Sequence, residues 1–168
     1  MLNKKLFTKI SLLIVLFIGF NSFAQSQAIV DEIVNAEEYS LFTEKLQETG
    51  ILASLENDAD YTFFALNNEA MKNIPSEIMN DADDLNTVLS NHIYKGKWSL
   101  EELAAEMNSK GGKMPIKAIN NFYSGVYLDG NQVIFLTPKA DKITLEEATV
   151  KPDGVIYNLD QALIPADF

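Results

Sequence analysis

The chain of 168 residues contains no cysteine and no arginine, and only one histidine, His92, and one tryptophan, Trp98. Without cysteine there are no disulfides, no thiolate metal site and no lipid carried on a cysteine after leader removal. With a single histidine, a zinc or redox centre has too few ligands of the required types. All 13 cationic residues are lysines, set against 24 acids for a net charge of −11. A surface of that sign does not suit a nucleic-acid backbone as partner. Acidity of this kind is first of all a solubility property.

What is present is ordinary globular composition, 47% hydrophobic and 22% charged, which sets the chain apart from disordered segments. A chain of this length is expected to form one domain burying about 70% of its unfolded surface. Residues 1–24 read as a secretory signal peptide. Lys4, Lys5 and Lys9 precede the apolar run Leu12–Phe20, and Ser22 and Ala24 supply the small residues of a cleavage site before Gln25. The run is short for a membrane span, so the remaining chain, 25–168, is expected to be exported to the periplasm or beyond the cell, with no span after cleavage.

The first third reads as helical. Ile29, Ile33 and Val34 recur at helical spacing within Ala28–Ala36, and Leu41, Phe42 and Leu46 within Tyr39–Thr49, with Gly50 placed to end that helix. Ile51, Leu52 and Leu55 make a further short stripe. The run Tyr61–Leu66 is β-branched and aromatic, hence a buried strand, followed by a helix N-cap at Asn67-Asn68-Glu69. Ile74-Pro75 ends that helix, and the acids from Asp81 to Asp84 open another, carrying Leu85, Val88, Leu89 and His92 on one stripe. Ser99-Leu100-Glu101-Glu102 is a capping box opening a helix through Met107.

The last third is β-rich. Val126–Leu128, Asp129-Gly130 and Asn131–Leu136 form a hairpin signal, and Lys142–Leu145 is one more short strand. After an Asp153-Gly154 turn, in which Gly154 is free to take a positive φ, Val155, Tyr157 and Leu159 alternate with Ile156, Asn158 and Asp160. That is a strand with one apolar face, closing a core laid down earlier. Helices first and strands later predict an α+β domain, helices packed on a mainly antiparallel sheet.

Two stretches carry a family resemblance. Thr62-Phe63-Phe64-Ala65-Leu66-Asn67-Asn68-Glu69-Ala70-Met71 and Asp153-Gly154-Val155-Ile156-Tyr157-Asn158-Leu159-Asp160-Gln161-Ala162-Leu163-Ile164-Pro165 resemble the first and closing motifs of the fasciclin (FAS1) domain. Between them, Leu89-Ser90-Asn91-His92-Ile93-Tyr94-Lys95-Gly96 keeps the histidine of that family's middle segment without the tyrosine before it. The resemblance runs from about 28 to 165. It implies a wedge-shaped β-sandwich with helices, and motif roles for Thr62, Phe64, Ala65, Asn68, Ala70, His92, Gly154, Val155, Ile156, Asp160, Leu163 and Pro165. It also implies a non-enzymatic adhesion or interaction module, binding an envelope or matrix protein or a polysaccharide. Receptor-engaging members carry an Asp-Ile pair where this chain has Ala148-Thr149. With one copy of the module, weak self-association is a route to avidity.

No catalytic apparatus stands out and no cofactor is implied. Asp58, Asp60, Thr62 and Glu69 fall at positions 1, 3, 5 and 12 of a calcium loop, but Phe63 occupies the place that needs glycine. A hydrolase would require His92 exposed beside a serine, and Ser90 faces elsewhere on the same helix. Candidate partner contacts are Trp98, Lys97, Lys110, Lys113 and His92, within a lysine-rich stretch that also includes Lys95 and Lys117. The alternative to an interaction module is a small-molecule or lipid carrier, its pocket lined by Phe42, Phe64 and Phe135.

Overall fold

Strands β1 (Tyr61–Leu66) and β8 (Gly154–Leu159), the two ends of the motif pattern, lie side by side and parallel, Tyr61 opposite Gly154 and Leu66 opposite Leu159. A parallel pair needs a long crossover between its strands and is covered on both faces. The computed structural model describes residues 28–166 apart from 57, 58, 138 and 147. The expected leader, the start at Gln25 and Asp58 of the calcium spacing lie outside the described residues.

The first sheet has the order β2-β1-β8-β7, with β2 at Ile93–Lys95 and β7 at Ala148–Lys151. The second is an antiparallel meander of β3 (Lys113–Lys117), β4 (Tyr123–Asp129), β5 (Gln132–Leu136) and β6 (Lys142–Leu145). At one corner the two sheets are joined by an isolated bridge from Tyr94 to Ala118, with Ile119 N donating to Ile93 O at 2.9 Å. The result is the expected α+β architecture, mainly antiparallel, with β1–β8 the parallel exception.

Alternation assigns the faces. Thr62, Phe64, Leu66, Val155, Tyr157 and Leu159 turn toward the second sheet. There Phe64 stacks on Tyr157 (centroids 5.2 Å apart) and meets Phe135 at 4.6 Å, while Tyr94 stands edge-on to Phe64 at 5.2 Å. The Tyr94 hydroxyl is buried and satisfied by Ser124 Oγ at 2.7 Å, and burial pushes its pKa up to about 12. The opposite face, Tyr61, Phe63, Ala65 and Ile156, is covered by helices. A strand with one apolar face was expected for β8. Instead Ile156 is only 3% exposed, because β8 is central and both its faces are covered.

Helix α1 (Ala28–Asn35) buries Ile29 and Ile33, but Val34 remains 36% exposed, off the stripe. After a 3-10 turn at Glu37–Tyr39 comes α2 (Ser40–Glu48), ended as expected by Gly50 at φ 73°. Short α3 (Ile51–Ser54) follows, and then α4 (Asn68–Lys72) leaves β1 through an N-cap at Asn67, whose side chain accepts from Ala70 N at 2.8 Å. Motif residue Asn68 works in trans on α2: its Oδ1 accepts from Leu41 N at 3.0 Å while its Nδ2 donates to Glu37 O. Helices α5 (Ser76–Asn80), α6 (Ala82–Ser90) and α7 (Leu100–Ser109) complete the set. The Ser99–Glu102 capping box is formed on α7 in both directions.

Two turns differ from expectation. In the β4–β5 hairpin Asp129 pairs with Gln132, so the turn residues are Gly130 and Asn131, with Gly130 at φ 61°. At the second, Lys151 pairs with Gly154, so the turn is Pro152-Asp153, and Gly154 does not have a positive φ. Its lack of a side chain answers a contact instead. A Cβ there would lie 2.3 Å from Tyr61 O and 2.8 Å from Ile29 Cγ1. Asp153 serves α1, its carboxylate accepting from Ile29 N at 3.1 Å.

Candidate functional site

His92 lies just past the end of α6 rather than on it, and it is completely buried. The Val88 carbonyl accepts from Nδ1–H at 2.8 Å, which leaves Nε2 to accept from Leu163 N at 3.0 Å. The ring edge meets Phe42 at 5.8 Å between centroids. Burial pushes the imidazole pKa down to about 4, with the Val88 bond opposing the shift in part. Both nitrogens are used and the ring is neutral at pH 7. A hydrolase would need this ring exposed beside Ser90, whose hydroxyl instead bonds Asn86 Oδ1.

Trp98 is fixed at three polar atoms. Its N–H donates to Thr62 Oγ1 at 2.9 Å, its Nε1–H to Lys95 O at 2.9 Å, and its carbonyl accepts from the Tyr157 hydroxyl at 2.8 Å. The indole covers Gly96, where a Cβ would meet Nε1 at 2.9 Å. Lys97 lines a groove with Glu101, Glu102, Ala105 and Val150 at the start of α7. Lys110 and Lys113 stand beyond its other end, about 15 Å away for a ten-residue helix. Lys110 pairs with Glu106 at 2.6 Å and Lys95 with Glu56 at 2.7 Å. The stretch rich in lysine is therefore not one patch: the fold puts Lys97 and Trp98 at one end of α7 and Lys110 and Lys113 at the other.

The carrier pocket is not built as expected. Phe42 packs on the helical side of the first sheet against His92, whereas Phe64 and Phe135 touch each other between the sheets. All three are fully buried, so they fill the core from opposite sides instead of lining one cavity. Among the described residues no cluster of His, Asp or Glu could hold a metal ion, and no helix is long and apolar enough to cross a membrane.

The surface that stands out is the outer face of the second sheet. Its inner residues, such as Val126, Val133 and Phe135, are core. Across the outer face the pairing gives the rows Lys113–Tyr127–Ile134–Thr144 and Pro115–Gly125–Leu136–Lys142, with Lys117 opposite Tyr123. Tyr123 is 60% exposed. A shallow depression of about 510 Å³ is lined by Lys110, Lys113, Pro115, Tyr123, Tyr127 and Leu136. Of the sequence candidates only Lys110 and Lys113 border it. The period-two pattern Lys113-x-Pro115-x-Lys117 followed by Tyr123-x-Gly125-x-Tyr127 was the signal available for this face.

Comparison with known proteins agrees with the fold. The fasciclin domain profile matches residues 37–165. The chain is 26% identical over 141 residues to transforming growth factor-beta-induced protein ig-h3 of Sus scrofa, covering 81% of this chain and 19% of that protein. The same protein of Oryctolagus cuniculus gives the same identity and coverage. The chain thus spans about a fifth of the length of these curated relatives. In structure it is similar to a FAS1 domain pair from the insect cell adhesion molecule Fasciclin I, with TM-score 0.59 and 12% identity, over 80% of this chain and 50% of that one.

Proposed function

The chain belongs to the fasciclin domain family, and we propose that it is a non-enzymatic interaction module docking an envelope or matrix partner through the outer face of its second sheet. The observation that carries this reading is that face itself: an aromatic and cationic platform whose reverse side is solid core. Export rests on the leader pattern of residues 1–24. The name of this chain's structural neighbour, a cell adhesion molecule, is consistent with such a role. A non-catalytic role is supported by His92, whose two ring nitrogens are both committed to the backbone.

In-cell cross-linking of tagged full-length protein, followed by mass spectrometry, tests the proposal. The expected result is a reproducible envelope or matrix component, captured less by a Tyr123→Ser variant. Capture of nothing above background, or of a partner indifferent to that variant, overturns it.

A further inference from the structure

We propose that the outer face of the second sheet is a track for a linear anionic polysaccharide of the uronic-acid type, held by Lys113, Lys117, Lys142 and Tyr123. This rests on the reading of the chain as an interaction module and names the ligand of that same face.

Charge placement is the first argument. Among the described residues, Lys45, Lys72, Lys95, Lys110 and Lys151 each pair with a carboxylate. Five described lysines show no such pairing: Lys97 before α7, Lys139 between β5 and β6, and Lys113, Lys117 and Lys142. The last three stand on this one face; its two full rows contain no acid, and Asp129, paired with Gln132, bounds the same face at the hairpin end. Two of these cations lie over aromatic rings instead. Lys117 Nζ is 5.8 Å from the Tyr123 centroid and Lys142 Nζ is 5.6 Å from that of Tyr127. An exposed cation–π contact is weak, and the ammonium remains available to an anion.

The spacing favours a polymer over a point anion. Lys117 faces Tyr123, and four residues along each strand Lys113 faces Tyr127. The lysine–tyrosine pair is thus repeated about 13 Å further along the sheet. Between the repeats the floor is flat. Gly125 has no side chain, Pro115 lies opposite it, and Leu136 closes its other side within 3.2 Å of where a Cβ would be. Sugar rings present apolar C–H faces that stack on such a floor while their carboxylates reach the flanking ammonium groups. An acidic peptide has the charge without the ring faces. The Tyr127 hydroxyl is buried with the Lys142 ammonium beside it, at a geometry short of a full hydrogen bond. A sugar oxygen entering beneath Lys142 would complete the hydrogen bonding of that hydroxyl.

The test is a calorimetric titration of the exported chain with polygalacturonate, neutral dextran, polyglutamate and phosphatidylglycerol vesicles at two salt concentrations. The expected result is binding to polygalacturonate alone, weakened by salt. Lys117→Gln with Lys142→Gln should weaken it at least tenfold and Tyr123→Ala several-fold, while Lys72→Gln leaves it unchanged. All four side chains are on the surface, so circular dichroism should show unchanged folding. The proposal is overturned by no binding to polygalacturonate, by binding indifferent to these substitutions, or by equal affinity for polyglutamate or the vesicles. If cross-linking captures a partner while polygalacturonate does not bind, the module stands and only the ligand assignment falls. If both fail, both fall.

Discussion

His92 clamps the closing motif: its Nε2 accepts the backbone N–H of Leu163 at 3.0 Å, across a sequence separation of 71 residues. The neighbouring Asn91 donates to Leu163 O at 3.4 Å and accepts from Asn120 Nδ2 at 2.7 Å. Both polar groups of the Leu163 backbone are therefore met by one corner past α6. In this chain the middle segment therefore holds the end of the closing motif.

The clamp makes stability depend on pH. The buried imidazole has a pKa of about 4, against an ordinary value of 6.5. Between those values the unfolded chain binds a proton that the native state refuses, so stability falls as pH falls. His92 thus contributes fully above pH 6.5 and loses up to about 3 kcal/mol on the way to pH 4. His92→Gln should cost about 2 kcal/mol at pH 7.5, by disturbing the bonds to Val88 and Leu163. Carboxylate titration is common to both proteins, so the stability gap between them should narrow from pH 7 to pH 4.5. Urea unfolding at four pH values measures it, and a constant gap would refute the assignment.

Thr62, fully buried, donates to Gly96 O at 2.8 Å and accepts from Trp98 N. Thr62→Val keeps the shape and removes both bonds, at a cost of about 2 kcal/mol. Because Trp98 is the only tryptophan, the loss should also appear as a red shift of fluorescence as the indole loosens from Gly96. Unchanged emission with unchanged stability would show the hydroxyl to be dispensable.

Residues that decide local structure were legible in the sequence; those answering to distant neighbours were not. Asn67, Ser99 and Gly50 cap or end helices by bonds and dihedrals within a few residues of themselves, and each takes its expected place. Strand β3 was hidden because Lys113, Pro115 and Lys117 on its outer side read as loop, while Met114 and Ile116 supply too short an apolar pattern. Gly154 looked like a turn glycine, yet the reason for it is the Tyr61 carbonyl, 93 positions earlier. The lysine platform was missed for the same reason: Lys142 joins Lys113 and Lys117 only through strand pairing.

Asp153 is a cap supplied from the far end of the chain. Its two carboxylate oxygens lie 3.1 and 3.3 Å from Ile29 N, and Lys151 pairs with Glu32 at 2.7 Å beside it. Asp153→Ala should cost about 1–2 kcal/mol, in the range of a lost N-cap. The effect should be local. Amide hydrogen exchange in residues 28–35 should speed up while β1 and β8 stay protected, and uniform acceleration would argue against a cap.

Gly154→Ala should be among the most damaging small substitutions in the chain. The added methyl would lie 2.3 Å from Tyr61 O and 3.0 Å or less from two carbons of Ile29. Tyr61 O belongs to the strand that pairs with β8, so relief requires moving β1 against β8, and Ile29 ties the shift to α1. Overpacking of this kind costs about 3 kcal/mol. Gly111→Ala is the contrast: nothing lies within 4 Å of its Cβ position, and only its φ of 79° is unfavourable. That backbone term is about 1 kcal/mol. Urea midpoints of the two variants, at unchanged m-value, should differ accordingly. Equal shifts would mean that β8 yields without cost and that the glycine at the start of the closing strand is not there for close packing.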